Sequence, residues 1–357
     1  MHQPEDLNLS VVDQSPLRRG GTGADALQES VLLAQACEKI GYSRYWVAEH
    51  HNSSSWTGVS PEILIGQIAS RTSTIRVGSG GVMLSHYSAL KVAEQFRVLD
   101  AFFPGRIDLG IGRAPGSDHK TATALAYPHP TGCSTNFPRQ VNDLLDFLSG
   151  NMAEDHPFSG IQALSGPQPS TNPEVWLLGS SDFSARIAAS LGLPFAFADF
   201  FGDLEHGPLV AELYRSKFQP SAFTDSPRLN VTLQALCAPT EQEAHYIASS
   251  RNLNKLRQTY REQASETSKS TSDLSSGLVS PDQALSYSLS DPERVALEKM
   301  APSYIDGNPE QVCQGILATA NRYQTSNIGI VTNCYEFEDR IRSYELIARS
   351  FNLNGKN

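Results

Sequence analysis

Positive charge is in short supply: 28 lysines and arginines stand against 38 aspartates and glutamates, a formal net charge of −10. A nucleic-acid surface needs clustered cations to displace counterions, so Arg18-Arg19-Gly20-Gly21 reads as a flexible loop rather than an RNA tail. Cysteine is scarce as well. Five residues, an odd number with no Cys-x-x-Cys spacing, form neither a disulfide framework nor a zinc knuckle. No long uncharged apolar run offers a membrane span, and Met1 to Asp6 carries no basic and apolar signal. A reduced, soluble, cytoplasmic protein with no nucleic-acid or membrane partner is expected.

What is present is a repeated alternation. Leu7 to Val12 reads as a strand ending in Asp13-Gln14-Ser15-Pro16, and Leu33, Ala36, Cys37 and Ile40 mark a helix face closed by Gly41. The Tyr45 run is the second strand. Ser60-Pro61-Glu62 then reads as N-cap, first-turn proline and first-turn acid of a helix with apolar face Ile63, Leu64 and Ile68. Ile75 to Leu84 forms a third strand, Val92 to Phe103 a helix, and Arg106 to Ile111 a fourth strand. Strands at 175–179, 195–198, 229–235 and 327–331 follow, with helices between them and a final helix face at Phe337, Ile341, Tyr344 and Ala348. Eight nearly continuous apolar strands alternating with helices predict an α/β protein, a (β/α)8 TIM barrel spanning residues 1–357 as one domain. Two departures are expected. A polar, Pro-rich insertion covers about 151–173 before strand five. A Ser- and Thr-rich stretch, about 262–293 between strands seven and eight, reads as a mobile lid or a disordered loop.

Chemistry concentrates where Tyr45-Trp46-Val47-Ala48 stops in Glu49-His50-His51. A buried strand that ends in titratable groups sets them at the rim of a sheet, as an active-site floor; one packed and one solvent-facing histidine is the plainer reading. A metal is not expected, because the pair lacks His-Glu-x-x-His spacing and no later cluster completes a shell. In a barrel the strand ends would gather Asp13, Glu49, His50, His51, Gly80, Gly81, Arg113 and the Gly179–Ser184 segment. Glycine inside the third strand signals a bulge or a close approach to the backbone. Ser180 and Ser181 at a helix start, with Ser184 and a fork-shaped Arg113, would make a phosphate cradle; Ser181 as a simple N-cap is the alternative. Gly110 to Gly116 fails the dinucleotide fingerprint, its third glycine being one residue late and Pro115 standing where a helix should run.

Ala48-Glu49-His50-His51-Asn52, Arg76 to Leu84, Pro104 to Arg113 and Leu178-Gly179-Ser180-Ser181 together resemble the bacterial luciferase-like flavin monooxygenases, in order and across nearly the whole chain. The resemblance implies a homodimeric or heterodimeric barrel taking reduced FMN from a separate flavin reductase and reacting it with oxygen. It implies that His50 lies beside the flavin ring with Glu49 behind it, and that Gly80-Gly81 forms a cis-peptide bulge under the ring. Arg113, Ser181 and Ser184 match its phosphate contacts, with Gly179 and Ser180 contributing backbone. That phosphate site follows strand five, whereas barrels usually bind phosphate after strands seven and eight. The luciferase position with a reactive cysteine matches Gly112, so light emission is not implied.

The function expected is an FMN-dependent monooxygenase acting on a small-molecule substrate, with His50 as a general base or hydrogen-bond partner titrating near neutrality. Asp13, Glu49 and His51 would support substrate or catalyst. The alternatives are a deazaflavin-dependent oxidoreductase on the same barrel and a non-catalytic flavin-binding partner subunit. Ala114 to Phe137 would help to wall the substrate pocket.

Overall fold

The computed structural model describes the chain apart from residue 115 and residues 129–135, 167–170, 202–204, 265–276 and 354–357. Nine parallel strands run in chain order: β1 Asn8–Asp13, β2 Arg44–Val47, β3 Arg76–Met83, β4 Ile107–Gly112, β5 Glu174–Gly179, β6 Phe195–Ala198, β7 Leu229–Cys237, β8 Tyr304–Gly307 and β9 Asn327–Val331. Helices α1 Gly23–Lys39, α2 Pro61–Ser70, α3 Ala89–Phe102, α4 His119–Ala126, α5 Phe137–Ser149 and α6 Asp182–Ser190 occupy the first half. The second half carries α7 His206–Lys217, α8 Glu241–Ala264, α9 Pro281–Leu285, α10 Asp291–Met300, α11 Pro309–Tyr323 and α12 Phe337–Ser350.

The barrel closes as expected. Strands β1 to β7 pair in sequence, and β9 fills the gap between β7 and β1. β8 is a strand that the apolar pattern did not reveal, since its four residues include Asp306. It continues the edge of β7, pairing with Gln234–Cys237 beyond the stretch that β6 occupies.

Alternation along each strand divides the core in two. Tyr45 and Val47 face the helices in the larger cluster, while Trp46 joins Val12, Trp176, Ala196 and Val331 inside the barrel. Below them the interior is charged. Asp108 accepts from Arg44, Arg76 and the Trp46 indole, and Glu174 pairs with Arg44, Arg76 and Arg228. Arg44 and Arg228 also lie over the Trp176 ring, at 5.3 and 5.1 Å. Conserving charge balance in a closed interior requires such pairing, and it plugs the end of the barrel away from the candidate site.

Local expectations were altered by packing. Ile63 is 66% exposed and Ile65 takes its place in the buried face of α2, while Ser60 makes no side-chain capping bond. Residues 151–166 hold turns and bends without a helix or strand. The stretch read as too polar for a core is anchored in part. Leu278 and Val279 are buried, Leu278 bridges to Arg18, and Val279 packs with Leu253 and Leu256 under α9 and α10. Residues 265–276 of that stretch lie outside the described residues.

Candidate active site

The carboxyl end of β2 delivers Glu49, His50 and His51 to the barrel mouth. Glu49 is fully buried, and its carboxylate is saturated by three groups. Oε1 accepts from the Tyr87 hydroxyl at 2.7 Å and meets His51 Nε2 at 2.6 Å, while Oε2 accepts from the Met83 amide at 2.9 Å. These bonds tie the β2 end to the β3 end and to His51, while the Glu49 charge also acts on His50.

His50 is held by its backbone, which donates to the Gly58 carbonyl at 2.7 Å, and its ring stands 6.1 Å from that of Trp56. Nδ1 is buried with no hydrogen-bond partner among the described residues. Burial pulls the imidazolium down to about 4, against an opposing pull from the Glu49 charge. His50 is therefore neutral at pH 7. An imidazole titrating near neutrality was expected, and desolvation overturns that.

At β3, the Gly80-Gly81 peptide is cis, and pairing with β4 shifts register between Gly80 and Val82. The bulge is where the glycines signalled it. Glycine is required there by the neighbouring strand, because a Cβ on Gly81 would fall 2.8 Å from the Gly110 carbonyl oxygen.

The serine-rich segment stands at the start of α6. Ser181 occupies the N-cap position with extended backbone, yet its hydroxyl makes no capping bond. A cap that bonds nothing in its own helix leaves the hydroxyl and the first-turn amides for a ligand. Ser184 is buried against Gly179, where a Cβ would lie 2.3 Å from its Oγ. The Arg113 guanidinium, arriving from the end of β4, lies 4.2 Å from the Phe183 ring centre, and pairs with no carboxylate among the described residues. Asp182, the acid closest to this segment in sequence, is engaged by His206 at 3.1 Å. Arg113 and the Ser180–Ser184 segment are thus brought together, with Ser180 exposed at the surface.

Asp13 is not brought to them. Its carboxylate accepts from Arg340, from Tyr45 at 2.6 Å and from the Ser15 amide at 2.7 Å, in the layer between barrel and helices. Burial would raise its pKa, but Arg340 with Ser30 and Tyr45 outweighs it and holds the carboxyl below the ordinary value. The residues that do border the mouth and were not anticipated are Tyr87, Trp56 and Asn333. Asn333 is buried after β9, donating to Gln14 Oε1 at 2.7 Å, with its own Oδ1 unpartnered among the described residues. Its signal was available, since it falls two residues past a strand end. The segment expected to wall the pocket carries α4, and its residues 129–135 lie outside the described set. Among the described residues no group of His, Cys, Asp and Glu is disposed to hold a metal ion.

A family model described as luciferase-like monooxygenase matches residues 8–325. The crystal structure of apo-MsnO8 superposes with a TM-score of 0.85 at 36% identity, covering 97% of this chain and 99% of that one. N-acetyl-S-alkylcysteine monooxygenase of Bacillus subtilis (strain 168) is 33% identical over 344 residues, 96% of this chain and 97% of its own length. At 18% identity the likeness is one of fold: the oxygenating constituent of 3,6-diketocamphane monooxygenase from Pseudomonas putida, solved in complex with FMN, matches with a TM-score of 0.67 over 96% of this chain and 97% of that one.

Proposed function

Because this chain belongs to the luciferase-like monooxygenase family of oxidoreductases, we propose that it binds reduced FMN at the mouth of its barrel and inserts one atom of molecular oxygen into a small organic substrate. The observation that carries this reading is the pairing of Arg113 with an uncommitted α6 N-terminus, where Ser181 caps nothing and Ser184 is tucked under Gly179. A phosphate fits such a donor set, and the fold neighbour that holds FMN supports the choice of flavin.

Bound reduced flavin supplies the electrons for oxygen activation, the second oxygen atom leaving as water. The chain's own part is to bind and orient. His50 brings a neutral imidazole to the mouth, with its Nδ1 buried, as a hydrogen-bond partner or as a base of low intrinsic strength. Glu49 fixes the β3 end just past the Gly80-Gly81 bulge. Trp56 and Asn333 border the same opening, and water is displaced as it fills.

Electrons come from a separate reductase in this reading, since β4 runs into a loop rather than into a nucleotide-binding helix turn. Assembly is as a homodimer in the cytoplasm. Ile63 on α2 and Val98 and Phe102 on the adjoining α3 are exposed apolar side chains on neighbouring helices, suited to a second copy. No helix among the described residues is long and apolar enough to cross a membrane.

The deciding experiment is anaerobic titration with reduced FMN and with the deazaflavin, followed by oxygen with N-acetyl-S-alkylcysteines and other thioethers as first substrates. Preference for reduced FMN and oxygen-dependent product support the reading. Tight deazaflavin binding with hydride transfer and no oxygen chemistry would replace it.

A further inference from the structure

We propose that the substrate taken at this mouth is an organic acid and that Lys255 reads its carboxylate; this rests on the monooxygenase reading and names the substrate class of the same site. β2 and β6 face each other across the barrel, separated by β3, β4 and β5 on one side and by β1, β9 and β7 on the other. Segments following both strands reach adjacent residues of α8. Ser55 donates from Oγ to Asn254 Oδ1 at 2.8 Å, and Lys255 Nζ lies 6.0 Å from the ring centre of Phe201, which follows β6. The 254–255 turn of α8 therefore meets the segments that follow two opposite strands. Trp56, beside Ser55, stands against His50, which sets His50 and the 254–255 turn at the same end of the barrel.

Charge balance makes Lys255 unusual there. One turn earlier on the same helix face, Arg251 is buried in a two-pronged bond to Asp306. Lys255 is half-buried and faces no carboxylate among the described residues, in a chain with an excess of acids. A half-buried ammonium with no ion-pair partner among the described residues favours an incoming anion, and a carboxylate gives it a charge-assisted hydrogen bond. The cofactor phosphate is the other anion at hand. Its donors gather at the ends of β4 and β5, whereas Lys255 stands over Phe201 after β6, next to Asn254, which the β2 segment holds. The relative named for N-acetyl-S-alkylcysteines acts on a class that carries a carboxylate.

The test uses the full chain and a panel of aliphatic, aromatic and N-acyl amino acids, N-acetyl-S-methylcysteine included, each beside its methyl ester. Binding is followed by calorimetry, independently of turnover. At least one acid should bind about tenfold more tightly than its ester, Lys255→Gln should erase that difference, and Lys255→Arg should retain it. Reduced-FMN affinity should be the same in all three proteins. The proposal is overturned if no acid is preferred to its ester, if the preference survives in Lys255→Gln, or if that variant weakens reduced FMN instead. Acid binding that depends on Lys255 without any oxygen-dependent turnover would keep the anion site and remove the monooxygenase reading.

Discussion

Arg340 in α12 donates through Nη2 to the carboxylate of Asp13 at the end of β1, 327 residues earlier, and both side chains are buried. The pair fastens the last helix onto the strand at the seam where β9 meets β1. Breaking one half of a buried pair strands the other charge, at a cost of about 3–5 kcal/mol. Asp13→Asn should lower unfolding stability by that order in denaturant titration, and a loss below about 1 kcal/mol would refute the latch. Its pH dependence has a definite sign. Because the folded carboxyl titrates below its unfolded value, the pair's contribution is complete above the unfolded pKa and is lost as pH falls through the folded one.

His50 acts in the same sense for a different reason, since burial rather than a charged partner lowers its pKa. In the unfolded chain it takes a proton near pH ~6.5, and in the folded protein at about 4. Between those values the unfolded state binds more protons, so stability falls as pH drops through this window. His50→Gln should flatten that part of the stability curve. His50→Ala should abolish product while leaving reduced FMN bound, and wild-type turnover should carry no step between about pH 6 and 7 that belongs to this residue. A step there that vanishes in His50→Gln would show that the imidazole is far less desolvated than its surroundings indicate.

Arg113 and Ser181 should reveal themselves through the phosphate alone. Arg113→Met is expected to weaken reduced FMN about tenfold or more, and Ser181→Ala by a smaller factor. Reduced riboflavin, which lacks the phosphate, should bind the variants and the parent alike. Equal losses for both flavins would place these side chains elsewhere in the site.

The barrel was legible because eight of its strands read as apolar or alternating runs between helical faces, as the buried strands of a parallel sheet do. β8 was not, since a four-residue strand containing Asp306 is held by pairing with β7 and by Arg251 rather than by its own pattern. Placement at the mouth followed from strand ends, which is why His50 and Arg113 were nameable. What each side chain does there depends on contacts from distant sequence. Tyr87 on Glu49, and Arg340 on Asp13, are partners that no local spacing announces, and they turned one expected site residue into a structural latch.

Phe102 offers a test of assembly. It is 74% exposed at the end of α3, with Val98 one turn before it, and Ile63 is exposed on the adjoining α2. If a second copy covers this face, Phe102→Glu buries a charge in the interface and should weaken dimerisation about a hundredfold, seen as a monomer in sedimentation at micromolar concentration. An unchanged dimer would move the interface to another face, and a monomeric parent would remove it.

Glu49 and His50 are coupled through charge rather than through a bond. The Glu49 carboxylate meets Tyr87, His51 and Met83, yet its field raises the His50 pKa against the larger effect of burial. Glu49→Gln keeps the shape and removes the charge. Desolvation is then less opposed, so His50 should titrate lower still, below its present value of about 4. The Met83 amide also loses a charged acceptor, which loosens the strand end beyond Gly80-Gly81. Following the His50 ring protons by NMR across an acid titration separates the two effects, and Tyr87→Phe supplies the control, because it removes a donor and leaves the charge. A His50 midpoint that rises in Glu49→Gln would mean that solvent enters when the carboxylate is neutralised, and that Glu49 acts chiefly by sealing the β2 and β3 ends together.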